Sequence, residues 1–244
     1  MPQRPLILAH RGFSARAPEN TLVAFRMALE AGADGIELDV QLSRDGVPVV
    51  IHDERVDRTT DGKGWVKDFT LEELRAFDAG RWFGEAFAGE RIPTLDEVLE
   101  VAGPGSRLIN VELKSGLVQY PGLEHKVIAA LERAGALEKS VLSSFNHFSL
   151  RTVKALRPRA RTGVLYMEGL VDPWAYARLV PADAIHPPRY AVLPELVEGA
   201  HRAGVAVHVW TVDERAELRR MADWGVDAII TNRPDEAVAV VGAI

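Results

Sequence analysis

The sequence predicts an α/β fold, a TIM (β/α)8 barrel, on three observations. Eight short apolar strands each lead into a helical or helix-like segment within 244 residues, which is the repeat such a barrel requires. The nucleotide-binding patterns GxGxxG and GxxxxGKS/T, which would favour a doubly wound open sheet, are absent. Polar side chains collect where the strands end, and a parallel barrel builds its site at those ends.

Each element has its own local signal. The first strand, LILAH (6–10), runs into Arg11 and Gly12. After the loop FSARAPEN, TLVAFRMALEAG sets apolar residues at helical spacing, with Asn20 or Thr21 as N-cap and Gly32 as the stop. The second strand, GIELDVQL, passes through the turn residues SRDG into PVVIHDE, which reads as a hairpin. Residues 53 to about 92 are irregular and glycine-rich, with one helix near 71–77; a stretch of that length reads as a lid or binding insert. Regular alternation resumes at TLDEVLEVA, capped by Thr94. Strands follow at 108–114, 141–145, 162–166, 183–187, 205–212 and 227–232. Helices fall near 122–134, 149–156, 172–179, 194–203 and 213–224, with a last one after Pro234. No linker or low-complexity tract divides the chain, so residues 1–244 are expected to form a single domain with an insert after the second-strand hairpin.

Composition narrows the class. Hydrophobic residues make up 47% and charged residues 26%, enough apolar material for a sizeable core. A net charge of −6 argues against a nucleic-acid partner, which demands a basic face, but leaves room for a local basic pocket. With no cysteine, disulfides, thiolate metal sites and cysteine nucleophiles are excluded. No run approaches the roughly 20 apolar residues of a membrane span, and the N-terminal apolar run is short for a signal peptide. A cytoplasmic enzyme, monomeric or a small homo-oligomer, is the expectation.

The strand ends carry the chemistry. Strand residues two apart share a face, so Glu37 and Asp39 project together, and so do Glu112 and Lys114. The hairpin brings His52 back opposite Glu37 to Asp39, while His10 and Arg11 close the first strand. Three carboxylates are hard oxygen ligands suited to Mg²⁺ or Ca²⁺. Arg11 and Lys114 suit a phosphate or carboxylate beside that ion, and His10 and His52 suit a general acid and base pair. Ser143 and Ser144 end the next strand, His208 and Trp210 the seventh, and Thr231 and Asn232 the eighth.

The segments HRGFSARAPENT, GIELDVQLSRDGVPVVIHDE, RTTDGKG, RIPTLDEVLE, NVELK, SSF and VWTV, in that order, resemble the glycerophosphodiester phosphodiesterase family over nearly the whole chain. The resemblance implies a TIM barrel that hydrolyses glycerophosphodiesters, such as glycerophosphocholine or glycerophosphoethanolamine, to glycerol 3-phosphate and an alcohol. It implies His10 and His52 as the catalytic pair, Glu37, Asp39 and Glu112 as ligands of a divalent metal ion, and Arg11 and Lys114 on the phosphate. Trp210 would line the apolar side of the pocket, with Glu19 and Asn20 bracing the first loop. Asp213 and Asn232 stand where the family more often has Asn and Asp, positions expected to give only local support.

Other conspicuous residues have plainer readings. His125, His147, His186 and His201 read as structural or surface residues on helices and loops, whereas His208 could reach the pocket or serve the core. Trp65 is assigned to a small core of the insert, and Trp82 and Phe83 either to that core or to a substrate wall. Trp174 and Trp224 sit at helical spacing as packing residues.

Overall fold

The computed structural model describes residues 4–102 and 105–242. Its strands are β1 (Leu6–His10), β2 (Gly35–Leu42), β3 (Pro48–Val50), β4 (Leu108–Leu113), β5 (Ser140–Ser144), β6 (Arg161–Leu165), β7 (Ala184–His186), β8 (Ala206–Val209) and β9 (Ala228–Thr231). The helices are α1 (Leu22–Glu30), α2 (Leu71–Ala76), α3 (Leu95–Ala102), α4 (Leu123–Arg133), α5 (His147–Leu156), α6 (Pro173–Leu179), α7 (Pro194–Arg202), α8 (Arg215–Asp223) and α9 (Pro234–Val241). The parallel strands run β1-β9-β8-β7-β6-β5-β4-β2, and β1 pairs with β2 to close the barrel. β3 is the hairpin's return strand, antiparallel to β2 with Val40 opposite Val50. The predicted TIM barrel is therefore the fold.

Local chemistry explains the element ends. Thr21 caps α1 by accepting from the Ala24 N–H. Thr94 and Glu97 form a reciprocal box at the start of α3, each satisfying the other's backbone N–H. Gly12 is the one residue type its turn allows: φ is +81°, and a Cβ there would sit 2.7 Å from Ala24.

The helices pack on the barrel through two large apolar clusters. One joins α1, α3 and α4 to β2 and β4, and the other joins α7, α8 and α9 to the later strands. A smaller cluster of Leu8, Leu108, Val141, Ala228 and Ile230 fills the barrel interior, with Leu6 and Trp210 against it. The segment between β3 and α3 has its own core of Val56, Val66, Leu74, Ala79 and Ile92, packed by Phe69 and Phe77. Trp65 lies outside that core, half-buried beneath Arg55, because the short turn at Val66–Asp68 directs Val66 inward instead.

His186 departs from the helix-or-loop reading. It lies on β7, fully buried, with its ring 4.8 Å from that of His208. Trp210, two residues beyond His208, packs with the interior cluster, so this pair sits inside the barrel. Burial pushes His186 well below the ordinary imidazole value, with the neighbouring His208 adding to the effect, and pushes His208 down to about 4. Both rings are neutral in the fold, whereas the unfolded chain takes up protons near pH 6.5. Their contribution to stability is whole above that pH and is lost as pH falls toward about 4. The melting temperature should fall across this window, and the fall should be shallower in His186→Leu, as thermal melts at a series of pH values will show.

Candidate active site

Glu37 and Asp39 project from β2 into the barrel mouth, and Glu112 projects from β4 with Asp39 as its register partner. One carboxylate oxygen from each lies within 4.8 Å of the others. All three are buried. Burial raises the Glu37 carboxyl well above the ordinary range, and the charges of Asp39 and Glu112 raise it further. Glu112 is raised by burial and by Asp39, against the pull of Lys114. Asp39 goes the other way: burial pushes it up, but Arg11, His52 and Lys114 and a bond from Asn20 together hold it below the carboxylate range. Its Oδ1 is buried with no hydrogen-bond partner. A hard divalent cation would satisfy that atom and relieve the crowding, so the donor set fits one.

The two cations lie where the carboxylates require them. Lys114 Nζ is 3.0 Å from Glu112 and 4.0 Å from Asp39. Arg11 Nε is 3.4 Å from Asp39, and its NH1 donates to Glu19 at 2.8 Å. Arg11 has φ of +57°, held in that conformation by its N–H donating to the backbone oxygen and Oε2 of Glu37, each at 3.0 Å. Asn20, also left-handed at φ +57°, donates to Asp39 Oδ2 at 2.9 Å.

Each histidine is oriented through Nδ1. Asn232 gives its Nδ2 protons to Asp213 at 2.7 Å, so its Oδ1 faces His10 Nδ1 at 2.7 Å. His10 therefore carries its proton on Nδ1, and the lone pair of Nε2 lies 4.0 Å from Glu37. Burial and the neighbouring Arg11 push His10 down to about 4, so the ring is neutral at pH 7. His52 Nδ1 meets Asp53 Oδ1 at 2.7 Å. Arg58 grips Asp53 at 2.7 and 2.9 Å and Glu19 at 2.9 and 2.8 Å, tying the hairpin exit to the first loop. The bond from His52 and the Arg58 fork hold the Asp53 carboxyl well below its ordinary value.

His10, Arg11, Glu37, His52 and Glu112 line one cavity of about 60 Å³ with Asn110, Phe145, Leu165, Trp210 and Ile230. All eight residues singled out from the sequence thus come together at the mouth, Asp39 and Lys114 through their contacts with Glu112 and Arg11. Phe145 and Trp210 meet edge to face, 5.9 Å between centroids. His208 points to His186 instead of the cavity, and Trp82 and Phe83 meet edge to face within the insert. Asn232 is more than local support, since it touches His10 directly.

Sequence reasoning missed Asn110, Gln41, Asp53 and Arg58. Gln41 continues the same-face series Glu37, Asp39, and that period was the available signal. Its buried Nε2 lies 3.0, 3.0 and 2.7 Å from the carbonyls of Ile51, His52 and Asp53, and its Oε1 accepts from Tyr120 at 2.8 Å. Replacing Gln41 with Met strands those carbonyls and frees the segment that carries His52. The expected cost is roughly 1–3 kcal/mol of stability, read by denaturant unfolding. Turnover should fall at least about tenfold, mostly in kcat, because the ring is displaced more than the substrate is weakened.

A model of the glycerophosphoryl diester phosphodiesterase family matches residues 10–236. The chain is 53% identical over 238 residues to a glycerophosphodiester phosphodiesterase of Caldanaerobacter subterraneus subsp. tengcongensis, covering 98% of both chains. It is 43% identical over 237 residues to a glycerophosphodiester phosphodiesterase of Bacillus altitudinis, covering 96% of this chain and 97% of the relative. An Oleispira antarctica phosphodiesterase, solved in complex with the product sn-glycerol-3-phosphate, superposes with a TM-score of 0.88 at 32% identity, over 98% of this chain and 97% of that one. The chain is a phosphoric diester hydrolase, and it belongs to the glycerophosphoryl diester phosphodiesterase family.

Proposed function

We propose that residues 1–244 act as one catalytic domain that hydrolyses glycerophosphodiesters, glycerophosphocholine or glycerophosphoethanolamine among them, to sn-glycerol 3-phosphate and an alcohol. The observation that carries this is one cavity where Glu37, Glu112, Arg11 and two oriented imidazoles meet, with Asp39 and Lys114 in contact with that set. The product bound to the Oleispira protein supports the same choice of substrate. Glu37, Asp39 and Glu112 would hold a divalent cation, Mg²⁺ or Ca²⁺, which when bound supplies charge to offset the phosphate and the developing negative oxygens.

The chain's own residues divide the remaining work. Arg11 and Lys114 bind and orient the phosphate. His10, neutral with its Nε2 lone pair free, takes the proton of the attacking oxygen as that oxygen bonds to phosphorus. His52, whose Nδ1 is held by the Asp53 carboxylate, gives its Nε2 proton to the departing alkoxide as the P–O bond breaks. Trp210, with Phe145, Leu165 and Ile230, keeps water from the carbon body of the substrate.

Three outcomes test this reading. Chelator should abolish hydrolysis, and added Mg²⁺ or Ca²⁺ should restore it; full turnover in chelator would remove the cation from the scheme. His10→Ala and His52→Ala should each lower turnover of glycerophosphocholine by roughly 10²–10⁴-fold with folding intact by circular dichroism. The two roles separate on a p-nitrophenyl diester, whose leaving group needs no proton. His52→Ala should regain much of its activity there and His10→Ala should not; the reverse pattern would exchange the assignments.

A further inference from the structure

The wall of the cavity carries one polar atom, the Oδ1 of Asn110, that neither the fold nor the chemistry above uses. Asn110, on β4, is 2% exposed and lines the cavity beside Glu37, its register partner on β2. Its Nδ2 donates to Ser143 Oγ at 3.1 Å, but its Oδ1 has no partner. Buried amide oxygens are nearly always paired, so an orphan facing a cavity marks a place for a donor.

Position narrows the donor. Asn110 precedes Glu112 by two residues and Lys114 by four on the same strand face, one and two steps deeper in the barrel. A substrate whose phosphate rests on Arg11 and Lys114, nearer the mouth, would turn its carbon body toward Asn110. The walls between are apolar, formed by Leu165, Trp210 and Ile230. An ammonium would be stripped of water against these walls, and a quaternary ammonium has no proton to donate. A hydroxyl is neutral, can donate to Oδ1, and is what glycerol offers.

We propose that Asn110 reads a free hydroxyl of the glycerol moiety. The glycerol half then enters the barrel and the alcohol half stays toward the mouth. Asn110 becomes a specificity determinant for polyol esters. This rests on the glycerophosphodiesterase reading above.

The test is calorimetric binding of sn-glycerol 3-phosphate and of propyl phosphate, which lacks both free hydroxyls, to the protein with divalent cation present. Wild type should bind the glycerol ester at least about tenfold more tightly. In Asn110→Ala and in the closer-sized Asn110→Leu, that margin should shrink to within about threefold. Both ligands are measured on one preparation, so a reduced folded fraction changes the stoichiometry and not the ratio. A margin that persists in both variants, or is absent from wild type, overturns the proposal while leaving the function intact. Wild type that neither binds sn-glycerol 3-phosphate nor hydrolyses glycerophosphocholine overturns the functional reading and this inference with it.

Discussion

Three carboxylates buried within 4.8 Å of one another set the terms for everything around them. Like charges so close, out of water, cannot all ionise unless cations surround them. The chain supplies Arg11 and Lys114 directly. Glu19 and Arg58 then tie Arg11 to Asp53, extending the charge network into the segment after the hairpin. Even with these partners, burial and the charges of Asp39 and Glu112 keep the Glu37 carboxyl raised, and burial and Asp39 keep that of Glu112 raised. A divalent cation held by the three carboxylates would relieve that repulsion, and a phosphodiester could approach once it is relieved.

Orientation of the two imidazoles depends on residues that touch no substrate. An asparagine stands behind His10, so the ring receives a dipole and not a charge, and burial beside Arg11 keeps it neutral. A carboxylate, that of Asp53, stands behind His52 and holds its Nδ1. The asymmetry between the two rings is thus built by one side-chain amide, Asn232, and one carboxylate, Asp53. Asp213 fixes the amide with three contacts, from Thr231 and from both nitrogens of Asn232.

Much of this was legible in the sequence because it follows from strand periodicity. Glu37 with Asp39, and Glu112 with Lys114, lie on one face for the same reason that apolar residues alternate, and the barrel's parallel order brings their ends together. The hairpin register that returns His52 could be read from the turn at 43–46. Less legible were partners whose meaning depends on contacts across the fold. Nothing local to Asn232 announces that it meets a residue 222 positions earlier. His186 falls within the expected strand 183–187, but its burial against His208 depends on contacts across the closed barrel. Trp65 looked like core by size alone, while a short turn gave that place to Val66.

The insert illustrates why a long irregular segment near a site need not cover it. Its aromatic residues turn to one another: Phe69 against Phe77 at 5.2 Å, Phe83 against Phe87 at 5.5 Å. None of its residues lines the cavity that holds the histidines. What it brings to the site is Arg58, which holds Asp53 and Glu19 at once and so fixes His52 relative to Arg11. A guanidinium can do this with two parallel pairs of bonds, whereas an ammonium would leave one carboxylate loosely held. The small hydrophobic core of the insert then has a mechanical purpose. It buries Ile51 and Val56 on either side of His52 and Asp53, and so anchors the backbone from which His52 and Arg58 project.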